Sequence, residues 1–189
     1  MSSRDAPRVF RRLIDTSFFL AAVAVPQVTN ISSVSAAPTP SCTEPHLKFA
    51  NKSMLPAASN VADIVEITNV SGSACTMTGF AKVTLTTATS PIHVVAVPRR
   101  TGYFGGFSPS YKAKILPVFT LGARTGTASF IVEEGDEPQG SATSCPVFTK
   151  LSVTMKGFDF SYSFPVRIPA CGRPGVLPIV KGTNGSYGF

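Results

Sequence analysis

The stretch "FDFSYSFPVRI", Phe158 to Ile168, alternates without a break. Phe158, Phe160, Tyr162, Phe164, Val166 and Ile168 fall on one side. Asp159, Ser161, Ser163, Pro165 and Arg167 fall on the other. Successive side chains of an extended chain point to opposite faces, so this period of two predicts a strand with one buried face. Pro165 has no amide hydrogen to give a neighbour, which places it at an edge or a bulge.

Outward from that stretch the same chemistry recurs. "ADIVEITNV" has the β-branched content of a strand, with Val65 and Ile67 on one face and Ile64, Glu66 and Thr68 on the other. In "CTMTGFAKVTL", Ala81, Val83 and Leu85 alternate with Lys82, Thr84 and Thr86. "PIHVVAV" is a further apolar run, "ILPVFTL" and "TASFIVE" flank the turn "GARTG", and "FTKLSVTM" alternates again. Beyond the first segment no stretch combines a helical period with caps. Short strands divided by Gly, Pro, Ser and Asn predict an all-β fold, an antiparallel immunoglobulin-like β-sandwich with aromatics between its sheets.

The chain has 189 residues, enough for one domain with extensions. The formal net charge is +7, but Arg4, Arg8, Arg11 and Arg12 crowd the first dozen positions. The remainder is mildly basic and has no Lys/Arg stripe, which excludes a nucleic-acid footprint.

Those arginines precede the apolar "FFLAAVAV" and the small-residue run "SVSAAP". Charged, apolar and cleavage regions in that order describe a secretory signal peptide over residues 1–36, cut after Ala36. The apolar core is shorter than the ~20 residues a bilayer span needs, so no stable membrane span is expected after cleavage. Retention of the leader as an anchor is the alternative. Residues 37–41 read as a short linker, 42–182 as the β-sandwich domain, and 183–189 as a flexible tail. The expected address is secreted or cell-envelope associated.

Cys42, Cys75, Cys145 and Cys171 all follow the expected cut, and none forms a CxxC pair. An even number of cysteines in an exported chain reads as disulfides. Zinc favours closely spaced ligand pairs, which His46 and His93 do not supply. Four cysteines allow three connectivities. Pairing in sequence order would close two moderate loops, each contributing about 3 kcal/mol by the chain-entropy argument.

Together these residues resemble a known family, the domain of unknown function 4232, found in exported proteins of actinobacteria. The likeness rests on "SCTEPHLKF", "IVEITNVSGSACTMTGFAKVTL", "ILPVFTLGARTGTASFIV", and "SCPVFTKLSVTMKG" followed by "PACGRPGVLPIVKG". It spans Cys42 to Gly182. The resemblance implies a secreted, disulfide-stapled β-sandwich and no particular activity. This chain departs from the pattern in lacking Trp and a lipid-attachment cysteine.

Catalytic motifs are absent: no GxSxG, SxxK, HExxH or phosphate loop. His93 lies in an apolar run and reads as an ordinary strand histidine. The acidic "EEGDEP", Glu133 to Pro138, lacks the ligand spacing of a calcium loop and reads as a solvated turn. Asn51 and Asn69 begin Asn-x-Ser sequences that matter only in a eukaryotic secretory pathway. The segment "RRTGYFGGFSPSYKAK" carries cations and aromatics on a Gly/Ser/Pro loop. Arg99, Arg100, Tyr103, Phe104, Phe107, Tyr111 and Lys112 are its candidate partner-binding residues. The expectation is a non-enzymatic binding module of the actinobacterial envelope, with no cofactor or metal and with an envelope protein or glycan as partner. An envelope-polymer hydrolase with dispersed residues and a purely structural surface protein are the rivals.

Overall fold

The structure, a computed structural model, describes residues 37–89, 92–107, 114–135 and 143–185. The expected signal peptide, and Tyr111 and Lys112 of the loop, lie outside the described residues. So do Asp136 to Pro138 of the acidic run and the last four residues.

The chain is all-β, with a single 3-10 turn at Glu44–His46 among the described residues. The strands are β1 (Leu47–Ala57), β2 (Asn60–Asn69), β3 (Cys75–Met77), β4 (Lys82–Thr87), β5 (His93–Val95), β6 (Val97–Pro98), β7 (Phe119–Leu121), β8 (Thr127–Gly135), β9 (Val147–Thr154), β10 (Tyr162–Pro169), β11 (Gly175–Val176) and β12 (Val180–Lys181). One sheet has the order β1-β2-β8-β11-β6, with β12 also paired to β8. A second has the order β10-β9-β4-β5, and β3 and β7 form a separate short ladder. Among the described residues the strand ladders are antiparallel except β11 with β6. That exception departs from the all-antiparallel expectation. It arises because "PIHVVAV" is not one strand. Its His93–Val95 part pairs with β4, Ala96 turns inward, and Val97 crosses to the other sheet to bond Pro174.

Both larger sheets send side chains into one core. Val65, Ile67, Phe130 and Val132 come from the first sheet, and Val83, Leu85, Leu151, Val153 and Phe148 from the second. Full burial of each such side chain stabilises the fold by roughly 1.5–3 kcal/mol. β2 lies between β1 and β8 and is covered on both faces. Val65 and Ile67 point into the main core, as their alternation requires. Ile64 points the other way and still packs, with Ala62, Ile131 and Leu177.

The period-two stretch forms a strand only from Tyr162 onward. Tyr162, Phe164, Val166 and Ile168 pack on the core, while Ser163, Pro165 and Arg167 are exposed. Phe158 and Phe160 precede the ladder. A turn at Gly157, with φ 82°, joins β9 to β10, and Phe160 remains 72% exposed. Alternation thus continues past the point where partner hydrogen bonds end. Pro165 stands on an edge strand beside a bulge, and β1, the opposite sheet's edge, carries its own bulge at Lys52. Proline, lysine and bulges all block pairing with further strands.

"GARTG" does not close a hairpin. β7 pairs with β3 and β8 pairs with β2, so the turn passes the chain between ladders. Asn69 fixes this junction. It is fully buried, donates its side-chain amide to Ser73 O (2.8 Å) and Gly122 O (3.1 Å), and accepts from Ser71 N–H (3.0 Å) and Ser71 O–H (2.8 Å). An asparagine with both ends engaged in the interior is no glycan acceptor in the folded protein.

Disulfides join Cys42 to Cys75 and Cys145 to Cys171. The first lies near the Asn69 end of β2, where Cys42 N–H also bonds Thr76 O, and the second near the Gly135 end of β8, where Cys171 N–H bonds Gly135 O. Two expected loose segments are partly tied down. Pro40 accepts from Thr76 N–H, and Gly185 is buried with its N–H on Ser129 Oγ.

Candidate functional site

The loop from Arg99 to Phe107 is built inward. Its backbone closes on itself through Phe107 N–H to Arg100 O (2.8 Å) and Gly102 N–H to Gly105 O (3.0 Å). The Glu133 carboxylate, only 5% exposed, accepts the N–H groups of Tyr103 (3.3 Å) and Phe104 (3.1 Å). Gly102 faces that carboxylate so closely that a Cβ would overlap it. Gly106 has φ 86° and abuts Arg100 O, so two of the loop's glycines answer to packing.

The side chains follow. Phe107 is buried beneath the Arg100 guanidinium, 5.6 Å from its ring centre. Arg100 also donates to Lys114 O (3.1 Å). Arg99 meets Glu134 (3.4 Å) and Arg173 O (2.7 Å). Phe104 packs on the Ile64–Ile131–Leu177 cluster, roofing the outer face of the first sheet. Tyr103 alone among these is displayed, 63% exposed and edge-on to Phe104. Glu133 and Glu134, which the sequence suggested as part of a solvated turn, are therefore packing and pairing groups.

A cleft of about 490 Å³ opens beside the Cys42–Cys75 bridge. Cys42, Met77, Phe80, Val118, Met155 and Phe158 supply its apolar walls, and Ser41, Thr76, Thr78 and Lys156 its polar ones. The volume lies within the range of ligand pockets. Its rim continues along the chain into exposed apolar residues. Val118 is 64% exposed, Ile115 82% and Phe160 72%. Thr78 holds the "ILPVF" segment in place by donating to Pro117 O (2.9 Å). The sequence reading missed this site because its walls come from four separate stretches. The one visible signal was the surplus of apolar residues around Pro117, which the strand reading absorbed.

The histidines are apart from the cleft. His93 is exposed on edge strand β5, its Nδ1 3.1 Å from Thr86 Oγ1. His46 is exposed, with Nδ1 3.1 Å from Thr43 Oγ1. Among the described residues no group of three or more His, Cys, Asp or Glu side chains is placed to hold a metal ion. Burial raises the Tyr162 hydroxyl above its ordinary pKa, and the Glu44 carboxylate adds to the effect. Tyr162 stacks on Phe49, 4.3 Å between ring centres.

These features define a disulfide-stapled all-β domain with an apolar end cleft and a self-closed aromatic loop. No helix among the described residues is long and apolar enough to cross a membrane, and with two disulfides the chain is consistent with an extracellular protein. Residues 42–180 match the family described as "Domain of unknown function (DUF4232)", and the chain belongs to that family. No curated protein matches the chain, and no solved structure does.

Proposed function

We propose that this protein is an exported, non-enzymatic interaction module of the actinobacterial cell envelope, built on an immunoglobulin-like sandwich. The two sheets sharing one core support the sandwich. The Arg-rich, apolar and small-residue order of the first 36 residues supports export. The observation that carries the binding role is the cleft beside Cys42–Cys75, with exposed Val118 in its wall and exposed Ile115 and Phe160 within a few residues of its lining along the chain. Large side chains left in water around a concave surface mark a place where a partner buries them. An envelope protein or glycan with an apolar face is the partner. Tyr103 offers a second contact point.

The test is binding of the oxidised protein to fractionated envelope. Val118→Asp and Phe160→Asp are compared with Tyr103→Ala. Saturable binding that the aspartates abolish supports the cleft, and loss with Tyr103→Ala alone moves the surface to the loop. Folded protein that binds no fraction refutes the interaction role.

A further inference from the structure

Asp63 lies mid-strand in β2, between Val61 and Val65, and like them faces the space between the sheets. Its side chain is a carboxyl in an apolar core, only 3% exposed. Among the described residues one side chain hydrogen-bonds to it. Asn51 of β1, opposite Val65, donates its Nδ2–H to Asp63 Oδ1 at 3.3 Å. Two atoms of this pair, Asn51 Oδ1 and Asp63 Oδ2, are buried with no hydrogen-bond partner.

Both orphans are oxygens. With Asp63 ionised they are acceptors alone, and the pair's one donor group, the Asn51 side-chain amide, is engaged on Asp63 Oδ1. A carboxylic acid instead carries one O–H donor. A proton on Oδ2 uses that oxygen as a donor and provides the one that Asn51 Oδ1 lacks. The amide then gives N–H to one carboxyl oxygen and takes O–H from the other. We propose that Asp63 is held as the neutral acid in the folded protein, and that its proton bonds Asn51 to form a pH-sensitive latch between edge strand β1 and the sheet.

The latch stands where the backbone needs it. The β1–β2 register skips between Asn51 and Ser53, so the ladder is interrupted at Lys52, beside this side-chain pair. On β1, β2 and β8, the charges of Lys52, Glu66, Glu133 and Glu134 have other partners. On β1, Lys52 pairs with Glu66 of β2 at 3.2 Å. On β8, Glu134 pairs with Arg99 and Glu133 holds the loop amides. On β10, Tyr162 stacks on Phe49, and Arg167 lines a gap of about 210 Å³ with Met54 and Val61. Among the described residues no cation forms an ion pair with Asp63. Desolvation raises the Asp63 pKa above the ordinary carboxylate value, outweighing the opposite pull of the Asn51 hydrogen bond.

The sign follows from linkage. Below the ordinary carboxylate pKa the group is protonated in both folded and unfolded chains. Between that value and the raised one, the folded chain holds the extra proton, so stability falls as pH rises. Above the raised value the loss is complete.

The experiment is urea unfolding of the full oxidised chain from pH 4 to 8, with Asp63→Asn and Arg167→Ala alongside. Carbon-13 NMR of the wild-type Asp63 carboxyl accompanies it and needs no variant to fold. In Asp63→Asn the new amide is a permanent donor. The wild type is expected to lose folding equilibrium constant with rising pH relative to Asp63→Asn, by up to about tenfold per pH unit within the window. The carboxyl is expected to keep its neutral-acid shift above the pH at which ordinary aspartates ionise. Arg167→Ala is expected to leave both results in place. A carboxyl that titrates at or below the ordinary value overturns the proposal. So does an Asp63→Asn profile parallel to wild type, or a shift abolished by Arg167→Ala.

Discussion

Replacing Asn69 tests the account of the junction between the ladders. Its amide makes two donor bonds to Ser73 O and Gly122 O and two acceptor bonds from Ser71, all on a fully buried residue. Asn69→Ala removes all four and leaves the Ser71 N–H without its acceptor, while Ser73 O keeps the Ser71 hydroxyl and Gly122 O keeps the Gly126 N–H. Each lost hydrogen bond costs about 0.5–1.5 kcal/mol net and the orphaned N–H about 1–3 kcal/mol, and the second donors on the two carbonyls return part of that sum. The expected loss is about 3 kcal/mol. At roughly 2–4 °C per kcal/mol for a domain of this size, the melting midpoint falls by about 6–12 °C. Asn69→Asp sharpens the test. It keeps the acceptor toward Ser71 but turns an oxygen toward the Ser73 and Gly122 carbonyls, where the amide hydrogens had been. Aspartate at pH 7 is therefore expected to destabilise more than alanine, although it is nearly isosteric. Urea unfolding monitored by far-ultraviolet circular dichroism measures both. An alanine effect under about 0.5 kcal/mol, the scale of ordinary surface substitutions, would refute the hub. An aspartate milder than alanine would refute the assigned amide orientation.

Two further outcomes separate buried from displayed chemistry. Phe107→Ala is expected to cost about 3–5 kcal/mol because the ring is buried under Arg100, whereas Tyr103→Ala, two-thirds exposed, is expected to stay within about 0.5 kcal/mol in the same denaturation assay. Replacing both Cys42 and Cys75 by alanine opens a loop with a sequence separation of 33 and is expected to lower stability by about 3–4 kcal/mol, while the Cys145–Cys171 bridge stays intact by peptide mapping.

Much of the fold was legible because strands write their faces into the sequence. Val83 and Leu85 read as inward against Lys82 and Thr84, and the structure places them so. The order of cysteines made sequential pairing one of three choices, and spatial proximity selected it. Pairing partners were less legible. The turn at "GARTG" resembles a hairpin locally, yet a buried asparagine fifty residues earlier in the chain directs its flanks to different strands. The loop showed the same limit. Arg99, Arg100, Tyr103, Phe104 and Phe107 look alike as a cationic, aromatic group. Their division into packed and displayed depends on Glu133, Glu134 and Ile131, which lie about thirty residues away.

The sequence by itself determined the all-β class, the cysteine framework and the family, because side-chain alternation, turn residues and motif order are local properties of the chain. Only the tertiary structure decided which apolar residues stay in water, how the end cleft is walled, and that Asp63 and Asn51 meet in the core. Burial and partnership belong to pairs of distant segments. No period or motif within a single segment carries them.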